Sequence, residues 1–144
     1  MKDDRRTTNH QPRTMINLFA KRKEREIVTV KTMIRMYCRA HHHPEGEMCE
    51  ACAEVFSYAT MKYLRCLFGE DKPVCEVCPV HCYGREMRER IRTIMRWSGP
   101  RMILYHPLMA IDHLMLLRRS KRRMPFYLKK VNLKKHPGRD RKSA

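Results

Sequence analysis

The chain has 144 residues, with 32 Lys and Arg against 15 Asp and Glu, and its formal net charge is +17 at pH 7. This length suits one small domain, and no apolar run approaches the roughly 20 residues that a transmembrane helix needs. The composition therefore excludes a membrane-spanning protein, and the excess of positive charge predicts attraction to a polyanion, most simply DNA or RNA.

The charge pattern divides the chain into a central domain and two flanks. Residues 1–14 are polar and are predicted to form a flexible N-terminus. Residues 118–144 combine many cations with two prolines and scattered apolar positions, which predicts a basic disordered tail. Residues 15–117 lie between them, contain every cysteine, and are predicted to form a helical metal-binding domain.

Apolar residues between the flanks recur at spacings of three and four, which is the period of an α-helix rather than of a strand. The first helix is predicted over Met15–Arg39 and is followed by a turn at Pro44-Glu45-Gly46. The second helix opens near Cys49 and keeps its apolar residues and Cys66 on one stripe. Gly69–Pro73 is predicted to end it.

The third helix is predicted over Arg85–Ser98, with Gly99-Pro100 breaking the chain after it. Pro100 suits the first turn of a fourth helix, and Pro107 is predicted to kink or restart that helix. The apolar stripe of the fourth helix is formed by Leu104, Leu108, Ile111 and Met115. The predicted fold class is therefore all-α, a small metal-stapled bundle of about four helices with Cys-rich loops.

The seven cysteines lie between Cys38 and Cys82 and include two Cys-x2-Cys pairs. Clustered thiolates with occasional imidazole select zinc or an iron-sulfur cluster over magnesium or calcium. A disulfide framework is disfavoured because the number of cysteines is odd and no apolar secretory segment lies near the N-terminus. The sequence therefore predicts a cytoplasmic protein whose reduced thiols bind metal.

The length of the second helix divides the metal ligands into two groups. Cys52 and Cys66, near its two ends, would lie about 21 Å apart at 1.5 Å per residue, whereas two thiolates on one zinc ion lie within about 4.6 Å of each other. The two predicted sites, each holding one zinc ion, are Cys38, His42, Cys49 and Cys52, and Cys66, Cys75, Cys78 and Cys82.

In the first site, His42 follows Cys38 by four residues, so both side chains project from one face of the last helical turn. His41, three residues after Cys38, is the near-equal alternative, whereas His43 points elsewhere. The N-terminus of the second helix is expected to lower the pKa of Cys49 and Cys52 through its positive dipole.

The second site suits an iron-sulfur cluster as well as zinc, because three of its cysteines lie within eight residues. His81 can replace a thiolate there, although a hydrogen bond to a ligand suits it better. A competing arrangement joins Cys49, Cys52, Cys75 and Cys78 as a zinc ribbon. That arrangement needs the loop from Gly69 to carry Cys75 back along the second helix.

Several separated motifs occur in the order in which they occur in one known family. They are Tyr37-Cys38 before His41-His42, Cys49-x2-Cys52, Tyr58-Ala59, Cys66-x2-Gly69-Glu70, Cys75-x2-Cys78-Pro79-x-His81-Cys82-Tyr83 and Met95-Arg96-Trp97-x-Gly99-Pro100-Arg101-Met102. Over about Glu24–His113 the chain thus resembles the nitrous-oxide-stimulated promoter family of small bacterial proteins. The resemblance implies a role in the response to nitric oxide and nitrosative stress, but no particular reaction. The basic extension beyond Leu117 departs from the family's shorter pattern.

A stripe of arginines on the third helix is a second candidate surface. Its members are Arg85, Arg88, Arg92 and Arg96, and Arg101 extends it. Such a stripe, together with the basic tail, can follow the phosphates of DNA or RNA. The alternative is a solvated helix face on which Glu89 pairs with Arg85.

Catalysis has little support, because the chain shows no Gly-rich phosphate loop, no paired-carboxylate cleft and no nucleophile elbow. His106 and His113 are interpreted as ordinary core or partner-facing histidines. The predicted function is a non-catalytic zinc or iron-sulfur protein of the nitrosative-stress response, in one form a regulator that contacts nucleic acid. The alternatives are a nucleic-acid-binding protein with purely structural zinc and a redox metalloenzyme with an open coordination position.

Overall fold

The structure is a computed structural model, and it describes residues 21–80 and 82–135. Within those ranges the chain forms five α-helices and no β-strand, so the predicted all-α class is confirmed. The helices are α1 (Arg22–His41), α2 (Glu50–Leu64), α3 (Arg85–Tyr105), α4 (Pro107–Arg122) and α5 (Met124–Lys135). Two short 3-10 turns, Gly69–Asp71 and Cys75–Val77, lie in the connection between α2 and α3.

The core lies where α1, α2 and α3 meet. Its buried members are Ile34 and Cys38 of α1, Cys52 and Val55 of α2, and Ile94 of α3. Burial of apolar side chains is the main stabilising contribution in so small a domain. Because two of the predicted ligands belong to this core, the candidate metal site and the packing of the three helices depend on each other.

Helix α3 is seven residues longer than the prediction, because it passes through Gly99-Pro100 and ends at Tyr105. Proline has no N–H to donate to the carbonyl four residues earlier, but Pro100 is exposed to solvent, where water can bind that carbonyl. On either side of it Ser98 and Met102 are buried. The hydroxyl of Ser98 donates a hydrogen bond of 2.9 Å to the carbonyl of Met33 on α1. These contacts hold the helical path across the predicted break.

The second predicted break occurs where the sequence places it. Helix α3 ends at Tyr105 because the next residue, His106, leaves the helical region with a φ of −139° and a ψ of 62°, and Pro107 begins α4. Proline suits the first helical position because the N–H it lacks has no partner there. The prediction that Pro107 restarts the helix is confirmed.

The basic segment from residue 118 is helical over most of its length, which corrects the prediction of a disordered tail. Helix α4 continues to Arg122 and α5 occupies Met124–Lys135. Tyr127 is buried and meets the Phe68 ring edge-on at 5.3 Å, and the Ser120 hydroxyl accepts a hydrogen bond from the Val74 N–H at 3.0 Å. A few apolar residues among the cations are thus enough to dock this segment on the loop after α2.

Some predictions fall on residues outside the described ranges. They are the flexible N-terminus over residues 1–14, the start of the first helix over residues 15–20, the role of His81 and the end of the tail over residues 136–144. No helix of the described residues combines the length and the apolar character needed to cross a membrane.

Candidate metal centre

Four side chains from the end of α1 and the start of α2 converge at one point. One ligand atom from each lies within 4.8 Å of the others, and the residues are Cys38, His42, Cys49 and Cys52. This is close to the largest separation, about 4.6 Å, that two thiolates can have on one zinc ion. The four therefore can hold a single metal ion, and they are the group that the local partition of ligands predicted.

The end of α1 supplies Cys38 and His42. Cys38 is fully buried, and the N–H of His42, the C-cap residue, donates a hydrogen bond of 2.8 Å to the Cys38 carbonyl. The next residue, His43, has a φ of 45°. This left-handed conformation is common just after a helix end because it turns the chain away from the helix axis. The turn directs the following loop back toward Cys49.

The start of α2 supplies the two remaining thiols. Cys49 is the N-cap residue and Cys52 lies in the first turn. The Cys49 N–H donates to the Cys38 sulfur at 3.2 Å, and Nδ1 of His42 lies 3.3 Å from the sulfur of Cys49 and 3.3 Å from that of Cys52. The imidazole therefore faces both thiols of the Cys-x2-Cys pair.

His41 does not belong to this group. Its Nδ1 lies 3.0 Å from the Tyr37 carbonyl, and its ring stacks on the Tyr37 ring at 4.2 Å. The choice between His41 and His42, which helix geometry left open, is therefore made by Tyr37. His106 and His113 are also absent from the group.

The two thiols of α2 have opposite electrostatic environments. The pKa of Cys49 is lowered, chiefly by a hydrogen bond from the Cys52 backbone. Burial, with the neighbouring thiols of Cys49 and Cys38, raises the pKa of Cys52 to about 12. Without a cation, Cys52 is therefore a neutral thiol at pH 7. A bound divalent ion favours the thiolate, so metal binding must release a proton from this residue.

A layer of aromatic rings covers the histidine side of the site. The Tyr37 ring meets the rings of His42 and Trp97 edge-on at 5.7 and 5.8 Å. Sequence reasoning did not assign these residues to the site. Tyr37 lies four residues before His41 and one before Cys38, so helical spacing alone could have placed its ring beside the site. The approach of Trp97 depends on how α3 packs and leaves no mark on the local sequence.

The second predicted ligand group is not assembled in the same way. In the part of the chain that the structure describes, the Cys38 group is the one set of three or more ligating side chains so close together. Cys66, Cys78 and Cys82 line a cavity of about 200 Å³ with Lys62 and Arg65 at its wall. Burial raises the pKa of Cys78 and of Cys82, and the other thiols of the group raise them further.

Cys75 is not among the residues that line this cavity, and its thiol contacts a buried lysine instead. The Lys72 ammonium lies 3.6 Å from the Cys75 sulfur and 3.2 Å from a carboxylate oxygen of Glu26. The zinc-ribbon alternative is not formed, because Cys49 and Cys52 converge on Cys38 and His42 instead of on Cys75 and Cys78. The group Cys66, Cys75, Cys78 and Cys82 is not one of the close ligand sets of the described residues. It stays a prediction, and three of its thiols share a cavity.

The predicted arginine stripe lies along α3. Arg85, Arg92, Arg96 and Arg101 are exposed and Arg88 is half-buried. Arg92 pairs with Glu89 at 3.1 Å, as on a solvated helix face. Arg101 stacks on the Trp97 ring at 3.9 Å and donates to the Trp97 carbonyl at 2.8 Å. Since α3 does not break at Pro100, Arg101 shares one helix with the other four.

Comparison with known proteins agrees with the resemblance seen in the motifs. The family model described as "Nitrous oxide-stimulated promoter" matches residues 21–125, which include both cysteine groups. The chain is also 42% identical over 97 residues to the uncharacterized protein YgbA of Escherichia coli (strain K12), an alignment that covers 67% of this chain and 82% of that protein. No solved structure matches the chain.

Proposed function

Because the chain belongs to the nitrous oxide-stimulated promoter family, we propose that it is a non-catalytic zinc-binding protein of the bacterial response to nitric oxide and nitrosative stress. The observation that supports zinc binding is the convergence of three thiols and one imidazole within 4.8 Å. Thiolate and imidazole are the donors of structural zinc sites. The family's description, which refers to a promoter stimulated by nitrous oxide, supports the link to nitrogen oxides.

The ligand set argues for a binding role rather than catalysis. Four protein ligands complete the tetrahedral coordination of zinc, whereas catalytic zinc keeps one position open for water or substrate. Cys38 and Cys52 are also buried in the helical core. A redox or nitric-oxide-processing enzyme would need an open position that this set does not leave.

The same ligand set is chemically sensitive to products of nitric oxide. A nitrosating species such as N2O3 transfers a nitrosonium unit to a thiolate, forming an S–NO bond and releasing nitrite. The nitrosated sulfur loses its negative charge and binds zinc weakly. Cys49 is the expected first target, because it is only partly buried and its pKa is lowered. Loss of zinc would then loosen the junction of α1 and α2.

Metal analysis of protein purified without oxygen tests the first site. Cys52→Ser is expected to lower the zinc content by one equivalent, whereas the matched control Cys66→Ser, in the other cysteine group, leaves that equivalent in place. Treatment of the wild type with a nitrosating donor is expected to release the same equivalent. Wild-type protein without zinc, or zinc retained by the Cys52→Ser protein, would contradict the proposal.

We also propose a second metal site, which holds either a zinc ion or an iron-sulfur cluster. It is supported by the cavity that Cys66, Cys78 and Cys82 share, and the fourth ligand would be Cys75, whose thiol contacts Lys72. The expected result is a second metal equivalent that Cys78→Ser removes and Cys52→Ser retains. Visible absorption would indicate an iron-sulfur cluster rather than zinc. A wild-type stoichiometry of one metal per chain would refute this part.

The exposed arginines of α3 support nucleic-acid binding as a second candidate function. Affinity for duplex DNA or RNA should then fall steeply with salt, because cations on the protein displace counterions from the phosphates. Arg85→Ala/Arg96→Ala should flatten that slope by about two. The charge-matched control is Lys121→Ala/Lys129→Ala, on α4 and α5. Equal losses would indicate attraction by net charge alone, and no binding at low salt would exclude this function.

A further inference from the structure

Helix α4 has an apolar face that the described part of the chain does not cover. This face, together with the end of α3, is formed by Ile103, Leu104, Leu108, Ile111, Leu114 and Met115, each between 48% and 79% exposed. The side of α4 toward the protein is supplied instead by Met109 and Ser120, both buried. An ordinary amphipathic helix turns its apolar face to the core and its polar face to solvent, whereas α4 carries large apolar side chains on its exposed face.

The spacing of the outer face is that of a helix–helix contact. Within α4, Leu108, Ile111 and Met115 are separated by three and four residues, which is the a/d spacing of a coiled-coil seam, and Leu104 adjoins this stripe at the end of α3. The pattern predicts a buried stripe, yet Leu104 is 79% and Leu108 59% exposed. The pattern therefore predicts that this surface packs against a partner that lies outside the described residues.

The size of the face suits a second copy of the same chain. A fully exposed aliphatic side chain offers on the order of 100 Å² of apolar surface, so the six side chains together offer about 350 Å², and the exposed Tyr105 ring adds to it. A standard interface covers about 800 Å² on each partner, of which a little more than half, about 450 Å², is apolar. The apolar area of this face is thus close to the apolar area that each partner contributes to a standard interface.

The charges beside the face decide how two copies can meet. The last turn of α4 is cationic, with Arg119, Lys121 and Arg122. A parallel pair would place these cations side by side at one end, where like charges repel. A two-fold antiparallel pair places them at opposite ends, and two-fold contacts are the commonest in homo-oligomers. In this register Leu108 of one copy faces Ile111 of the other, on either side of the axis.

We propose that the protein is a homodimer in solution, formed by antiparallel packing of α4 against α4 through this outer face. The proposal does not rest on metal binding, because neither cysteine group lies on α4. Dimerisation through α4 also leaves the arginine stripe of α3 exposed in both copies. Each dimer would then present two such stripes related by the two-fold axis.

Sedimentation equilibrium in a thiol reductant, over protein concentrations from about 1 to 100 μM, tests the dimer, since working affinities of this interface class lie in that range or below. The wild type is expected to have twice the mass of one chain. Leu108→Glu is expected to weaken dimerisation at least 100-fold, with unchanged metal content and helical circular dichroism. The control Leu64→Glu removes a leucine that is 63% exposed on α2, against 59% for Leu108, and should leave the dimer intact.

The orientation has its own test. In the antiparallel pair, Leu108→Glu/Ile111→Lys places each new carboxylate opposite a new ammonium of the other copy, so the double variant should regain much of the dimer that Leu108→Glu alone loses. In a parallel pair like charges would meet and no recovery would follow. A monomeric wild type at every concentration would overturn the dimer. Binding of such a monomer to anionic phospholipid vesicles, lost in Leu108→Glu, would assign the face to a lipid surface instead.

Discussion

A buried ion pair anchors the cysteine-bearing loop to α1, and its disruption gives the most quantitative test of the fold. The Lys72 ammonium lies 3.2 Å from a carboxylate oxygen of Glu26, with side chains 4% and 12% exposed. It also lies 4.0 Å from the centre of the Tyr63 ring. On the other side, Arg22 binds Glu26 at 2.9 Å and donates to the Lys72 carbonyl at 2.6 Å.

Breaking a buried pair by removing one partner costs about 3–5 kcal/mol of unfolding free energy, because the other charge stays buried without compensation. Lys72→Met is expected near 3 kcal/mol, since Glu26 keeps its contact with Arg22. Glu26→Leu is expected nearer 5 kcal/mol, because the ammonium is left with only the Tyr63 ring, the Pro73 carbonyl and the Cys75 sulfur. The double variant should cost much less than the sum of the two, since it buries no unpaired charge.

Urea denaturation of the four proteins, followed by the fluorescence of Trp97, the single tryptophan, measures these free energies. Zinc concentration and pH are held constant so that metal binding does not alter the comparison. A coupling free energy of at least about 2 kcal/mol is expected. Strictly additive effects would show that the two charges do not depend on each other, and the account of this anchor would then be wrong.

The same pair predicts a loss of stability in acid. Burial by itself raises the pKa of Glu26, but the positive charges of Lys72 and Arg22 bring it below its ordinary value. A carboxyl with a lowered pKa stabilises the fold above the unfolded-state value, about 4.3, and this contribution is lost as the pH falls through the lower folded-state pKa. The wild type should therefore lose more stability than Glu26→Leu between pH 5 and the acid limit of folding, and parallel pH profiles would contradict this.

Three further predictions concern the metal site and α3. Zinc affinity should rise with pH through the neutral range, because Cys52 must lose a proton to bind and its pKa is raised to about 12. Competition with a chelator at several pH values measures this affinity, and a flat profile would exclude Cys52 as a ligand. Ser98→Ala should cost about 1 kcal/mol, since it removes the hydrogen bond that joins α3 to the Met33 carbonyl of α1. The exposed control Thr93→Ala should stay within about 0.5 kcal/mol in the same denaturation assay. Pro100→Ala should stabilise the protein by about 1–3 kcal/mol by restoring a helical N–H; a destabilised variant would show that the proline ring makes a contact the helix needs.

Features that depend on one or two helical turns could be predicted from the sequence. The spacing of apolar residues follows from 3.6 residues per turn, so it indicated helices before any packing was known. Cys38 and His42 lie on one helical face, and a short loop connects them to Cys49 and Cys52. The length of α2 separates Cys66 from that group for the same local reason. Backbone geometry at short range is therefore enough to indicate which four side chains can meet.

Other features were decided only by contacts between distant parts of the chain. His42 rather than His41 faces the thiols because Tyr37 engages His41. Helix α3 passes through Pro100 because Ser98 is held by α1. Over residues 118–135 the charged segment packs on the rest of the protein through the contact of Tyr127 with Phe68.

The second cysteine group and the apolar stripe of α4 also depend on contacts between distant parts of the chain. Cys75 contacts Lys72, which is anchored by Glu26 on α1, and the thiols of the second cysteine group are not brought as close together as those of the first. The stripe through Leu108 and Ile111 has the pattern of a core face yet remains exposed. A periodic pattern indicates that one face of a helix is apolar. Which partner buries that face depends on how all the helices pack around a small core, so it is determined only by the tertiary structure.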